Sequence, residues 1–355
     1  MKRTCLVGVA MLLVLLTATS CGTATTPAPQ AQPTQPPQAQ PIVLKLADSL
    51  PASHIFTVSG GLYWANRVEE LTGGKVKFEH YPAEQLGKAK DLLDLTQAGT
   101  ADVAYIGPAY TAGKLPLCGV GELPGLFDSN VVASKAYQEV AQGILYETEL
   151  KKFGIRPLIA NLLAPYQALN TKKEVKSLSD MKGLKMRVGG GTIEQTAALI
   201  GAVPVSVTPP EMFEAIQRGV LDGSLISYTS AKQYKFEEII KYGTVGANFG
   251  TFALIYCINE NVWQQLPEDV RKVMAETAKE ASVHMSEAIA AEEGKVIQQW
   301  EQQGKVLYRL SEAEQKEWGT ALQPVCDQWV KDMEAKGLPA AQAFDEFQKA
   351  LEKYK

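Results

Sequence analysis

Residues 180–234 decide the fold of this chain, and they read DMKGLKMRVGGGTIEQTAALIGAVPVSVTPPEMFEAIQRGVLDGSLISYTSAKQY. Short apolar runs alternate with helical patterns, and this alternation predicts a β-α-β-α-β unit with a parallel sheet. Arg187 falls at the carboxyl end of the first predicted strand. Because ligands bind outside the carboxyl ends of the strands in open α/β sheets, the pattern predicts that Arg187 meets a small anion.

The segment after Pro41 repeats the same order of elements. Apolar periodicity predicts strands at 42–47, 75–81 and 103–106, with helices at 58–72 and 89–98 between them. Two such units in one chain predict an α/β fold of two similar lobes.

The last third of the chain predicts long helices that pack against the lobes. Residues 268–303 form a periodic segment with Gly294 as its one helix-weakening residue. Capping boxes are predicted where Thr208 precedes Glu211 and where Ser311 precedes Glu314.

The first 20 residues have the features of a secretory signal peptide. Lys2 and Arg3 precede an apolar run that is shorter than the roughly 20 residues of a membrane span. Residues 18–21, Ala-Thr-Ser-Cys, resemble a bacterial lipobox, although Ala18 replaces the usual Leu. We predict that Cys21 becomes the lipidated N-terminus, and the alternative is an ordinary signal cleaved at small residues.

Residues 21–41 are mostly Pro, Gln, Ala and Thr, a composition typical of an extended tether without a core. The sequence therefore predicts a soluble, extracytoplasmic domain that stands off a membrane on a lipid anchor. About 315 residues follow the tether, which suits two lobes. We assign 42–164 with about 252–292 to lobe I, and 165–251 with about 293–355 to lobe II. The hinge is predicted near 163–166 and 250–253.

Composition argues against several classes of function. With 35 basic and 39 acidic residues, the chain lacks the positive charge of a nucleic-acid-binding protein. Three scattered His, no G-x-S-x-G motif and no His/Cys cluster argue against an enzyme or a zinc site. A G-x-G-x-x-G motif fails because Glu194 stands at the third glycine position. We therefore predict no enzymatic activity and no cofactor.

Three cysteines lie beyond the tether, namely Cys118, Cys257 and Cys326. They are widely spaced and cannot all pair with one another, so they are either buried free thiols or one disulfide with a free partner.

Several motifs in order give the chain a resemblance to a known family. They are EELTGGK at 69–75, YPAEQLG at 81–87, QAGTAD at 97–102, LSDMKGLKMR at 178–187, AIQRGVLDG at 215–223, and Asn259, Trp263 and 266–269. From about Leu44 to at least Met274 the chain resembles the substrate-binding proteins of tripartite ATP-independent periplasmic (TRAP) transporters, of the C4-dicarboxylate-binding type.

The resemblance implies two hinged lobes, a long helix lying across both, and a cleft that closes on the ligand. It also implies membrane subunits that import the ligand with an ion gradient and without ATP. A ligand-sensing lipoprotein on the same fold is the alternative, and the motifs disfavour a receptor for an ATP-driven importer. Some relatives bridge ligand and protein with a metal ion, and the sequence leaves that open.

Arg187 resembles the carboxylate-binding arginine of the family. A planar guanidinium matches two carboxylate oxygens and stays charged when a cleft closes. Backbone amides at Gly190 and its glycine neighbours could assist, because they precede a helix N-terminus. The alternative is a surface arginine in a salt bridge.

Two departures from the family pattern narrow the ligand. Gln167 stands where many members carry a second arginine, and Ile226 stands where many carry an asparagine. The site thus loses one charge and one amide, which predicts a monocarboxylate with an apolar or aromatic body.

Aromatic residues are candidates for the wall of the cleft, with ordinary core packing as the alternative for each. Tyr166 and Tyr228 are favoured because they are in register with site positions of the family. The others are Tyr105, Tyr110 and Phe249. His54 follows the first strand at the edge of the cleft, where it could donate to the far end of the ligand or cap a loop.

Overall fold

The fold is described by a computed structural model of residues 40–207 and 209–355, without the side chains of Pro209 and Pro210. The predicted signal peptide, Cys21 and all but the last two residues of the tether lie outside the described residues. So does Thr208 of the first predicted capping box.

Two mixed sheets carry the fold. The strands are β1 (Ile42–Ala47), β2 (Val76–Tyr81), β3 (Val103–Ile106), β4 (Ile155–Leu162), β5 (Gln167–Asn170), β6 (Lys185–Val188), β7 (Val203–Ser206), β8 (Gly223–Ile226), β9 (Tyr242–Val245), β10 (Ala253–Asn259) and β11 (Val306–Arg309). The first sheet has the order β2-β1-β3-β10-β4 and the second has the order β11-β9-β5-β8-β6-β7. In the first, β1 pairs in parallel with β2 and β3; in the second, β6 pairs in parallel with β7 and β8.

Helices connect and cover these sheets. They are α1 (Leu62–Leu71), α2 (Leu92–Gln97), α3 (Asn130–Val140), α4 (Tyr146–Thr148), α5 (Thr192–Leu199), α6 (Pro209–Gln217), α7 (Tyr228–Gln233), α8 (Glu260–Gln265), α9 (Glu268–Gln302), α10 (Glu312–Glu334) and α11 (Ala340–Tyr354). The orders β1-α1-β2-α2-β3 and β6-α5-β7-α6-β8 are the two predicted β-α-β-α-β units, so the predicted fold class is confirmed.

The chain passes between the two sheets along two segments that lie side by side. The backbone N–H of Leu163 donates to Phe252 O at 3.1 Å, and the N–H of Tyr166 donates to Gly250 O at 2.8 Å. Gly250 has φ +97°, and a Cβ there would lie 2.5 Å from Glu122 O. Only glycine fits this close, left-handed crossing. The paired segments coincide with the predicted hinge.

Helix α9 is a third connection between the two halves. Met274, Ile289 and neighbouring residues of its first part are buried in the core of the first sheet, whereas Val296 and Trp300 are buried with residues of the second sheet. The helix ends within one residue of the predicted boundary and runs through Gly294 without a break. The capping box at the start of α10 is also confirmed, since Ser311 Oγ accepts from Glu314 N and the Glu314 carboxylate accepts from Ser311 N.

The C-terminal helices correct the predicted domain boundaries. We assigned residues 293–355 to lobe II. Strand β11 from this segment does join the second sheet. The second half of α10 and all of α11 share a core with α3, where the ring of Phe347 lies 6.3 Å from that of Tyr137. Helical periodicity shows that one face of α11 is buried, but it carries no information about which lobe covers that face.

Cys118, Cys257 and Cys326 are buried free thiols. Across the described ranges, no group of three or more His, Cys, Asp or Glu could hold a metal ion. Nor is any helix in the described part of the chain both long enough and apolar enough to span a membrane.

Candidate functional site

Arg187 lies near the end of β6, where it pairs with Val205 of β7 and Ser224 of β8. Its side chain is 2% exposed, and Nε donates to the carbonyl oxygen of Val207 at 3.0 Å. The arginines that form ion pairs within the described residues are Arg67, Arg156, Arg218 and Arg309. Burying a charge without a counter-ion is costly, so this guanidinium is suited to receive an anion.

An aromatic pair lies against Arg187. Tyr110 belongs to a 3-10 helix, Pro108–Thr111, that follows β3. Burial raises the pKa of Tyr110, and both the charge of Arg187 and a hydrogen bond with it oppose that rise. The Tyr110 ring lies 4.9 Å from the ring of Phe252. A Cβ on Gly189 would lie 3.7 Å from Phe252 and 3.9 Å from Arg187 Nη1. The first sheet, the crossing segment and the second sheet therefore meet here.

Tyr166 and Tyr234 belong to the same group of side chains. Burial raises the pKa of each, and the positive charge of Arg187 partly offsets the rise. Both also lie near Tyr110. Tyr105 is 3% exposed. Burial is the main cause of its raised pKa, and the neighbouring Tyr110, Asp48 and Tyr234 raise it further. The four tyrosines and Arg187 thus lie near one another, and we take the space bordered by these side chains as the candidate ligand site.

The hydroxyls of Tyr105, Tyr166 and Tyr234 donate no hydrogen bond to any described residue. Other buried tyrosines behave differently, with hydroxyls that donate to protein oxygens: Tyr137 to Cys118 O, Tyr228 to Thr244 O and Tyr256 to Asp48 Oδ2. A tyrosine hydroxyl without a protein partner can donate to and accept from a polar ligand, so these three groups near a buried cation are candidate ligand contacts.

His54 lies at another part of this space. Its ring is 3% exposed and lies 4.5 Å from the ring of Phe56 and 6.3 Å from that of Tyr234. Nδ1 accepts from the backbone N–H of Phe56 at 3.3 Å, and Nε2 is buried without a hydrogen-bond partner. Burial lowers the pKa of His54 to about 4, so the ring is neutral at physiological pH.

Asp48 follows β1 directly and adds a negative charge near Tyr105 and Tyr234. Its carboxylate accepts from Leu50 N at 2.8 Å, from Thr57 Oγ1 at 3.0 Å and from Tyr256 Oη at 2.8 Å. Burial raises its pKa to about 6, so the group is still mainly ionised at pH 7.

The triple-glycine loop brings the second sheet close to the first. Gly190 has φ +97°, and a Cβ there would lie 3.3 Å from Ala109 O. Thr192 Oγ1, at the start of α5, donates to Glu122 O at 3.1 Å. The Glu122 side chain is 1% exposed, and burial raises its pKa to about 8 although the N–H groups of Ala253 and Ala109 lower it. The loop therefore forms an interlobe contact, and its assistance to Arg187 stays a prediction.

Gln167 lies away from this space, contrary to the sequence-based prediction. Its Nε2 donates to Ala247 O at 2.7 Å and to Pro165 O at 3.1 Å. Its Oε1 accepts from Thr244 Oγ1 and from Ala247 N, both at 3.1 Å. These bonds occupy both donors and both acceptor positions of the amide and connect β5 with the end of β9. No hydrogen-bonding capacity of the amide remains for a ligand.

Three further predicted residues lie in the core. Tyr228 is fully buried, donates to Thr244 O at 2.8 Å and packs edge-on against Trp300 at 5.2 Å. Ile226 is 2% exposed within the same lobe II core. Phe249 is fully buried, with its ring 5.7 Å from that of Trp318. The alignment of Tyr228 and Ile226 with site positions of the family concerns the backbone alone. It did not determine where their side chains point.

Four residues of the site escaped the sequence analysis: Asp48, Glu122, Tyr234 and Phe252. Asp48 follows a strand of the first unit, so the rule that found Arg187 could have found it. Phe252 lies in the predicted hinge and Tyr234 directly follows α7, but neither carries a motif. Glu122 ends a short 3-10 helix, Leu117–Glu122, which is too short for apolar periodicity to reveal.

Residues 47–332 match the family model of the bacterial extracellular solute-binding proteins, family 7. The C4-dicarboxylate-binding periplasmic protein DctP of Rhodobacter capsulatus is 28% identical over 316 residues, which cover 87% of this chain and 92% of that protein. A solute-binding protein of Albidiferax ferrireducens is 27% identical over 258 residues, covering 72% of this chain and 75% of that protein.

Solved structures of similar proteins share the fold. A TRAP solute-binding protein of Rhodoferax ferrireducens, in complex with copurified benzoate, has a TM-score of 0.81 at 25% identity and covers 88% of this chain and 98% of its own. A TRAP periplasmic solute-binding protein of Desulfovibrio salexigens has a TM-score of 0.77 at 28% identity, covering 89% of this chain and 97% of its own.

Proposed function

Because this chain belongs to family 7 of the bacterial extracellular solute-binding proteins, we propose that it delivers an aromatic monocarboxylate to TRAP membrane subunits. Members of the family are transport receptors and not enzymes, which confirms the predicted class of protein. The observation that carries the ligand proposal is Arg187, a buried guanidinium without a carboxylate partner among the described residues and with several tyrosines near it.

The carboxylate end of the ligand is proposed to lie on Arg187. A guanidinium can bind two carboxylate oxygens through parallel N–H···O bonds, and Nε is already fixed on Val207 O. Tyr110, which hydrogen-bonds with Arg187, would add a neutral donor beside it. One cation and one hydroxyl suit one carboxylate.

The body of the ligand is proposed to be aromatic. Tyr110 and Phe252 form a tilted ring pair at 4.9 Å, and Tyr105, Tyr166 and Tyr234 complete the wall. Aromatic rings attract one another in tilted and edge-to-face arrangements, so this wall favours a flat ring over a flexible chain. Predominantly apolar walls with a few placed polar groups are typical of small-molecule sites.

The far end of the site argues against a second carboxylate. Asp48 carries negative charge there at pH 7, and His54 is neutral. Gln167 uses its amide elsewhere, and Ile226 lies in the core. The two comparisons differ in ligand, a C4-dicarboxylate for the Rhodobacter protein and benzoate for the Rhodoferax structure. The choice between a mono- and a dicarboxylate therefore depends on the residues of the site, and these residues support the monocarboxylate.

A thermal-shift measurement tests the ligand class. We expect benzoate to raise the melting temperature of the domain from residue 40 onward, after a denature-refold step that removes carried ligand, and succinate to have no effect. A ligand present at a thousandfold excess over its Kd adds about 4 kcal/mol to the free energy of unfolding. Stabilisation by succinate and not by benzoate would show a second cation that serves a dicarboxylate. No shift with either acid would refute the proposed ligand class.

We also propose that Cys21 anchors the receptor to the membrane through a lipid. The support is the lipobox-like sequence followed by the Pro/Gln-rich tether, of which all but the last two residues precede the described part of the chain. Replacing Cys21 by Ser should move the protein from the detergent phase to the aqueous phase in a phase-partition assay of whole cells. A wild-type protein found in the aqueous phase would contradict the anchor.

A further inference from the structure

His54 is buried and carries a ring nitrogen, Nε2, that has no partner. We infer that His54 recognises a neutral hydrogen-bond-accepting group, such as a hydroxyl, at the end of the ligand opposite its carboxylate. This inference rests on the proposed function and specifies which aromatic monocarboxylates the cleft prefers.

The hydrogen bond at Nδ1 determines that Nε2 carries the proton of the ring. Because Nδ1 accepts from the N–H of Phe56, it holds a lone pair and not a proton. In a neutral imidazole the proton then resides on Nε2, which makes that atom a donor. The burial that lowers the pKa of His54 keeps the ring in this neutral form. A buried donor without an acceptor is unfavourable, so an acceptor on the ligand would remove the penalty.

Tyr234 connects His54 with the residues around Arg187. Its ring lies 6.3 Å from that of His54. Burial raises the pKa of Tyr234, the charge of Arg187 lowers it, and the charge of Asp48 raises it further. Tyr234 is therefore near both Arg187 and Asp48. His54 follows β1 of the first sheet, whereas Arg187 lies on β6 of the second sheet, so the two residues approach the ligand from different sheets.

The charge at the far end selects a neutral group. The oxygens of Asp48 already accept from Leu50, Thr57 and Tyr256, so Asp48 acts there mainly through its charge. That charge opposes a carboxylate beside His54. A ligand hydroxyl could accept from His54 Nε2 and donate to the hydroxyl of Tyr105, which has no partner among the described residues. A methyl group of the same size could do neither.

Isothermal titration with matched ligands tests the inference on the wild-type protein. The probes are benzoate, the 3- and 4-hydroxybenzoates and the isosteric 3- and 4-methylbenzoates. We expect one hydroxybenzoate to bind at least tenfold more tightly than its methyl isostere, because a site built to donate a hydrogen bond rejects an analogue that lacks the acceptor. Benzoate binding without this preference would overturn the inference and leave the proposed function standing. If none of the five acids binds, both fail.

Variants then assign the preference to His54. In His54→Phe, which keeps the ring contact with Phe56, we expect the hydroxyl-over-methyl preference, taken as the ratio of the two affinities in the same variant, to fall to about twofold. His54→Gln, which retains a donor, should keep part of the preference. The matched control is His284→Phe, whose ring stacks on Tyr63 at 3.9 Å outside the cleft. A preference that survives both His54 substitutions would overturn the assignment.

Discussion

Arg187→Gln should weaken the binding of benzoate by at least a hundredfold and leave the fold intact. The substitution removes the buried cation proposed to hold the carboxylate, and truncating one partner of a buried charge pair costs about 3 kcal/mol or more. Glutamine can still donate one hydrogen bond, but it carries no charge to offset desolvation of the anion. Without ligand we expect equal or higher stability, because the variant no longer buries an unpaired charge.

Isothermal titration gives the affinity and urea unfolding gives the stability of the ligand-free protein. Lys185→Gln is the matched control, because it removes one positive charge from an exposed position on the same strand. It should leave both quantities unchanged. Unaltered benzoate affinity in Arg187→Gln would show that the carboxylate binds elsewhere.

Glu122→Gln should abolish a large part of the pH dependence of stability. Burial raises the pKa of Glu122 from 4.5 to about 8, so the folded state holds a proton that the unfolded state releases between these values. The resulting stabilisation is complete below pH 4.5 and is lost as the pH rises through 8. A shift of this size corresponds to ~5 kcal/mol at most. Glutamine is neutral at every pH and can still accept from Ala253 N.

Urea unfolding at pH 5 and pH 9 measures this effect. We expect the wild type and Glu122→Gln to have similar stability at pH 5, and the variant to be more stable by several kcal/mol at pH 9. Burial also raises the pKa of Asp48, Glu149 and Glu293, but those groups contribute equally to both proteins. Glu194→Gln, on the exposed face of α5, is the control and should follow the wild type. Parallel curves for wild type and Glu122→Gln would refute the role of Glu122.

Elements with strong periodicity could be predicted from the sequence. Strands β1 and β3 have the predicted bounds, and α9 differs by one residue at its end. Their patterns are local, because each apolar residue reports on the face that its own helix or strand buries. The position of Arg187 near a strand end could be predicted for a related reason, since it follows from the order of elements.

Side-chain direction and long-range packing could not be predicted in the same way. Tyr166 and Tyr228 occupy comparable positions in the resemblance, yet Tyr166 faces Arg187 whereas Tyr228 donates to Thr244 O in the core. The direction of the Tyr228 side chain depends on Thr244 and Trp300, which are distant in sequence. Local patterns carry no information about such contacts. The site residue Glu122 depends likewise on a contact with α5 that forms only in the folded chain.

The order in which the chain visits its two sheets restricts how it can fold during synthesis. Strand β10 lies between β3 and β4, so the first sheet is incomplete until Asn259 has been made. The second sheet is incomplete until β11 has been made. The apolar face around α3 stays uncovered until α11, which ends at Tyr354, has been made. A nascent chain therefore has no finished lobe to close, and nearly the whole polypeptide must be present before either core is sealed. We therefore expect the polypeptide to stay unfolded until late in synthesis, a state suited to passage through a membrane before folding.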